Sequence, residues 1–180
     1  MTGAAVTYGD SLYDLAVEES IGRDLLDELT EIDRIFKENP TYIKLLDEPS
    51  LPRKERCGLI EQAFAGSNLY VKNFLKLLCE AGLLREFSGC VREFRRRWNE
   101  DNGILTATAT CAAPLTDEQR DKLTAHLKEM SGHPIELTVK VDPACIGGMR
   151  LDLGGKRFDG TIRQRLDKIR SVLAVHEALS

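Results

Sequence analysis

An α+β fold built from two unlike parts is predicted for this 180-residue chain, and three observations predict it. From Tyr8 to Trp98 the apolar residues recur in steps of three and four, the spacing of helix faces. At Asn102-Gly103 the period changes to two: Leu105, Ala107, Ala109 and Cys111 alternate with Thr106, Thr108 and Thr110, as in a half-buried strand. From Val141 onward a second alternating run meets a Gly154-Gly155 link and then a helical stripe. The reading is an amino-terminal all-α six-helix bundle over residues 1–103, followed by a small β-α-β-β-α domain over residues 104–180.

The first helix is carried by Tyr8, Leu12, Leu15 and Ala16, with Tyr13 and Val17 widening its stripe. A second runs from about Ile21 to Lys37 on Leu25, Leu29, Ile32 and Phe36, and Asn39-Pro40 stops it. Tyr42, Leu45 and Leu46 make a short third helix before Pro49. Pro52 suits the first turn of a fourth, with Leu59, Ile60, Ala63 and Phe64 inward. Ser67 is the expected cap of a fifth, whose core face is Phe74, Leu77, Leu78 and Ala81 and whose end is Gly82. The sixth steps through Leu84, Phe87, Val91, Phe94 and Trp98, with Arg92, Arg95, Arg96 and Arg97 mostly on other faces. In the second part, Thr116 and Gln119 form a capping box for a helix through Leu123, His126, Leu127 and Met130. Ile135, Leu137, Val139 and Val141 alternate as a strand. Met149, Leu151 and Leu153 form another, which Gly154-Gly155 turns back through Lys156, Arg157 and Phe158. Asp159-Gly160-Thr161 then opens a helix carried by Ile162, Leu166, Ile169 and Leu173.

Composition narrows the function. A hydrophobic fraction of 42% is enough for a buried core, and a net charge of −4 argues against binding nucleic acid by broad attraction. The early acidic run from Asp10 to Asp33 reads as a solvated helix face that can also steer a basic partner segment. No apolar run approaches the roughly 20 residues of a membrane span, and the start lacks the layout of a secretory signal. Five cysteines, odd in number and without a CxxC pair, imply neither a disulfide framework nor a zinc site. His126, His133 and His176 share no ligand-like spacing with one another, so no metal is expected. Gly155-Lys156 resembles the end of a phosphate loop, but Arg150 and Arg157 stand where that motif requires a glycine and a hydroxyl. No catalytic residue and no cofactor are therefore expected. Arg95-Arg96-Arg97-Trp98 is the alternative: a free-standing RNA-binding or regulatory adaptor would use this basic face.

One ordered set of residues goes further. Val141, Asp142, Pro143, Ile146, Gly147, Gly148 and Leu151, followed by Asp159, Gly160, Ile162, Arg163, Arg165 and Leu166, resembles the carboxy-terminal signature of the delta subunit of F-type ATP synthases. That family is the bacterial counterpart of the mitochondrial oligomycin-sensitivity-conferring protein. Thr161 departs from the usual Ser and keeps the capping hydroxyl. Earlier matches in the same order are Tyr8, Leu12, Tyr13 and Ala16, then Asn73-Phe74-Leu75 with Leu77, Leu78 and Gly82, then Thr108, Ala109, Pro114 and Leu115. Leu83 departs from the family's frequent Arg.

The resemblance implies a non-catalytic stator subunit, joining the alpha/beta catalytic head to the peripheral stalk so that proton-driven rotation is coupled to ATP synthesis. It implies that the helical part binds amino-terminal helices of alpha subunits and the second part binds the b subunit. The alpha-subunit groove falls between the first and fifth helices, which gives Tyr8, Ser11, Leu12 and Leu15 with Asn73, Lys76 and Leu77. Asp142, Pro143, Gly147, Gly148, Asp159, Gly160, Arg163 and Arg165 are the structural signature. One copy per complex is implied, on the cytoplasmic face of the cell membrane, peripheral and held there only through the complex, with no nucleic-acid partner.

Overall fold

The computed structural model describes residues 2–48, 50–145 and 148–159, the last four as backbone. The protein is mixed α+β and divides into two compact units, the first ending at Trp98 and the second beginning at Asn99.

Six α-helices come first: α1 Gly3–Glu18, α2 Gly22–Glu38, α3 Pro40–Leu46, α4 Arg53–Ala63, α5 Leu69–Glu80 and α6 Phe87–Asp101. Several ends differ from the sequence reading, each for a local reason. α1 starts ahead of Tyr8 because the Thr2 hydroxyl accepts the Ala5 amide and caps it. Pro40 does not only stop α2; lacking an N–H, it also fits the first turn of α3. α5 is capped by Asn68 rather than Ser67, its Oδ1 accepting the Tyr70 amide at 2.9 Å while Glu28 of α2 accepts the Asn68 amide. The run through Leu84 is a separate 3-10 turn, Leu84–Glu86, and α6 proper begins at Phe87.

The core of this unit is aromatic at its centre. Phe36 meets Phe87 at 5.2 Å and Phe64 at 5.9 Å between ring centroids, both edge-to-face, and Tyr13 meets Phe94 at 5.3 Å in the same manner. α1 and α6 approach closely because small residues line their contact. A Cβ on Gly9 would lie 2.7 Å from the Cys90 carbonyl oxygen, and one on Gly89 would lie 2.8 Å from the Ala5 Cβ. Trp98, expected as core, is half-buried and lies over Gly22, where a Cβ would meet the indole at 2.6 Å.

In the second unit the strands are β1 Leu105–Cys111, β2 Ile135–Val141, β3 Met149–Leu153 and β4 Lys156–Asp159, with α7 Asp117–Ser131 between β1 and β2. The sheet order is β2-β1-β3-β4. β1 and β2 are parallel, and α7 supplies the crossover that parallel neighbours require; β3 and β4 pair antiparallel. The described order is thus β-α-β-β-β: both arms of the expected Gly154-Gly155 hairpin pair, which makes one strand more than the β-α-β-β-α reading counts before its final helix. Gly154 and Gly155 have φ of 55° and 82°, the left-handed region that such a two-residue turn needs. The capping box of Thr116 and Gln119 forms, and Gly132 ends α7 at φ 72°.

Within the signature, Asp142 organises the turn after β2. Its amide donates to the Cys111 carbonyl at 2.8 Å, its carboxylate accepts the Ala144 amide at 2.9 Å, and its carbonyl accepts the Cys145 amide at 2.9 Å. Pro143 follows in that turn, Gly148 adopts φ 132°, and Asp159 ends β4 opposite Arg150. Gly147, Gly160, Arg163, Arg165 and the helix expected over Ile162 to Leu173 lie outside the described residues.

Candidate functional site

Helix periodicity puts Tyr8, Ser11, Leu12 and Leu15 on one face of α1, and Tyr70, Asn73, Phe74 and Leu77 on one face of α5. These eight residues line a single groove of about 370 Å³. Its floor is apolar and rigid: Leu12 and Phe74 are 5% and 6% exposed and belong equally to the core behind. Leu77 stands at the rim, 48% exposed. Ser11 is internally satisfied, donating to the Thr7 carbonyl at 2.9 Å. Tyr70 closes one end, where burial, and then the neighbouring Glu19 carboxylate, push the phenol pKa up.

Six of the seven residues expected in a groove are therefore brought together. Lys76 is not, because its ammonium turns to the other side of α5 and pairs with Glu61 of α4. Tyr70 and Phe74 were missed. Phe74 reads as core, which it is as well, and Tyr70 precedes Asn73 by three residues, the one sequence signal that places it on this face.

The basic stretch of α6 is occupied by protein. Arg97 pairs with Asp10 at 3.1 Å and Asp14 at 3.0 Å, both on α1, and its guanidinium lies 5.0 Å from the centroid of the Tyr13 ring. Arg95 donates to the Thr30 hydroxyl of α2 at 2.7 Å, and Arg96 pairs with Glu93. Arg96 thus finds a partner on its own helix, and Arg97 reaches across to α1. These arginines tie α6 to α1 and α2.

Thiol chemistry is disfavoured. Burial pushes up the pKa of Cys57, Cys79 and Cys111, and that of Cys90 to about 11, which favours the thiol over the nucleophilic thiolate. Among the described residues no cluster of His, Cys, Asp and Glu has the arrangement of a metal site, and no helix is long and apolar enough to cross a membrane. On the polar side of the sheet, Thr108, Thr110, Lys140, Arg150 and Asp152 line a shallow depression of about 260 Å³.

The family model for the ATP synthase delta (OSCP) subunit matches residues 4–173. The chain belongs to the ATP synthase delta (OSCP) subunit family. A delta subunit of ATP synthase from Enterococcus hirae is 30% identical over 167 residues, spanning 92% of this chain and 93% of that one. Subunit O of the mitochondrial ATP synthase from Ipomoea batatas is 30% identical over 169 residues, covering 92% of this chain and 69% of its own length. A chain of the Toxoplasma gondii mitochondrial ATP synthase hexamer shares the fold, with a TM-score of 0.73 at 17% identity over 96% of this chain and 98% of that one. As a delta-type subunit the protein is a structural stator component that links the catalytic head to the peripheral stalk, and not a catalytic one.

Proposed function

We propose that this delta-type subunit makes its link with two separate grips. The helical part, residues 1–103, receives the amino-terminal helix of an alpha subunit in the groove between α1 and α5. The α+β part, residues 104–180, meets the carboxy-terminal end of the peripheral-stalk b subunit. One copy per complex sits on the cytoplasmic face, peripheral and attached to the membrane only through its partners, and proton-driven rotation is thereby coupled to ATP synthesis. No nucleic acid is involved. Signature residues such as Asp142 and Asp159 act by shaping the sheet and its turns rather than by touching a ligand.

The observation that carries this reading is the groove: an apolar floor fixed by the core, open along two helices, fits an amphipathic helix with anchors every three or four residues. A joint under torque needs slow dissociation, which a desolvated apolar centre supplies better than rim charges. Calorimetry with the full chain and an alpha amino-terminal peptide tests it. Tyr8→Asp and Leu77→Asp are each expected to weaken binding about tenfold or more, since a buried anchor is worth about 1.5–3 kcal/mol, while leaving the helical circular dichroism intact. Unchanged affinity in both variants would remove the groove from the interface.

A further inference from the structure

The two ends of the groove differ in chemistry. The Thr2 hydroxyl, which caps the amino end of α1, donates to Glu86 just past the carboxy end of α5. The carboxy end of α1, with Glu18 and Glu19, therefore lies toward the amino end of α5, where Glu19 is close enough to raise the Tyr70 pKa. Because both helices line one groove, they run antiparallel along it, and their dipoles oppose each other at either end. Side-chain charge then decides the local field. Glu18 and Glu19 follow Leu15 by three and four residues, so they continue the groove-lining face of α1, and both are exposed. The cations of α5 do not offset them: Lys76 pairs with Glu61, and Lys72 reaches the Ala65 carbonyl at 3.4 Å, both away from the groove. At the opposite end Tyr8 is preceded one turn earlier by Ala4, and Glu80 is directed toward Cys57 of α4.

We infer that the groove selects an amphipathic helix bearing Lys or Arg one turn beyond its last apolar anchor, and that Glu18 and Glu19 fix which way this helix lies. The inference rests on the groove reading above and adds to it the charge and direction of the occupant. Apolar anchors alone hold a helix equally well in either direction; an acidic end rewards only the direction that brings the basic turn to it.

The test is titration calorimetry on the full chain with three synthetic helices that share one leucine stripe and carry Lys-Lys, Gln-Gln or Glu-Glu one turn beyond it. At low salt the affinities are expected to fall in that order, by roughly threefold to tenfold per step. The gap between the Lys and Gln peptides is expected to close in a Glu18→Gln/Glu19→Gln variant and at high salt. If the peptides bind and Leu77→Asp weakens them, yet the Lys peptide has no advantage or keeps it in the double variant, the charge inference is wrong and the groove reading stands. If Leu77→Asp leaves binding of every peptide unchanged, the groove reading fails and takes the inference with it.

Discussion

Leu77 and Leu78 are neighbours on α5 with opposite duties. Leu78 is fully buried, whereas Leu77 is half in water at the rim of the groove. Leu78→Ala is therefore expected to cost about 2–5 kcal/mol of folding stability in urea titrations, the usual range for a buried leucine. Leu77→Asp is expected to change stability by less than about 1 kcal/mol while weakening peptide binding about tenfold or more. Equal stability losses in the two variants would show that the rim residue is core after all. Cys90 makes a second residue-scale prediction. Burial first, and then the charge of Glu86, raise its pKa from an ordinary 9.0 to about 11. A raised folded-state value means the folded chain holds the proton longer than the unfolded chain. The associated stability is fully present below about pH 9 and is lost as pH rises toward about 11. Cys90→Ala should show a shallower fall of the urea midpoint across that window than the parent chain; parallel curves would mean the thiol does not contribute. At this scale the sequence shows which side chains are apolar and at what spacing, which puts Tyr8, Leu12 and Leu15 on one stripe of the first helix; that this stripe borders a groove was implied by the family resemblance and not by the spacing. It does not show where a long cation goes: Lys76 and Arg97 found partners on other helices, 15 and 83–87 positions away.

At the scale of elements, what could be read ahead was whatever depends on neighbours in sequence. The Thr116–Gln119 capping box and the alternation of β1 are local patterns, and each appears where its residues place it; the α6 stripe does so from Phe87 onward, its Leu84 falling in a separate 3-10 turn. Helix ends were less legible because caps compete. Ser67 and Asn68 are both good caps, and Glu28 of α2, holding the Asn68 amide, accompanies the second choice. The close approach of α1 to α6 could not be read at all, since Gly9 and Gly89 look like interruptions until the opposing backbone is known. Gly9→Val is accordingly expected to destabilise the fold by about 1–3 kcal/mol, because the Cys90 carbonyl is backbone and cannot turn aside. Gly58→Val, at a helical glycine with open space around it, is the control, expected within about 1 kcal/mol of the parent. Similar melting curves for the two variants would contradict the close-contact account.

For the whole molecule, the central claim is that a chain without chemistry of its own works by holding two partners at once. The two compact units are built differently, one from helices packed on aromatic rings and one from a four-stranded mixed sheet. On the proposed reading each supplies a surface of its own, and a defect in one grip is expected to leave the other intact. The most direct measurement is ATP-driven proton pumping by membrane vesicles whose ATP synthase has been depleted of its delta subunit and given back this chain in limiting amount. The account predicts that the parent chain restores pumping, and that Leu77→Asp restores much less while ATP hydrolysis by the head is unchanged. Full pumping without any added chain, or equal recovery with Leu77→Asp, would contradict it.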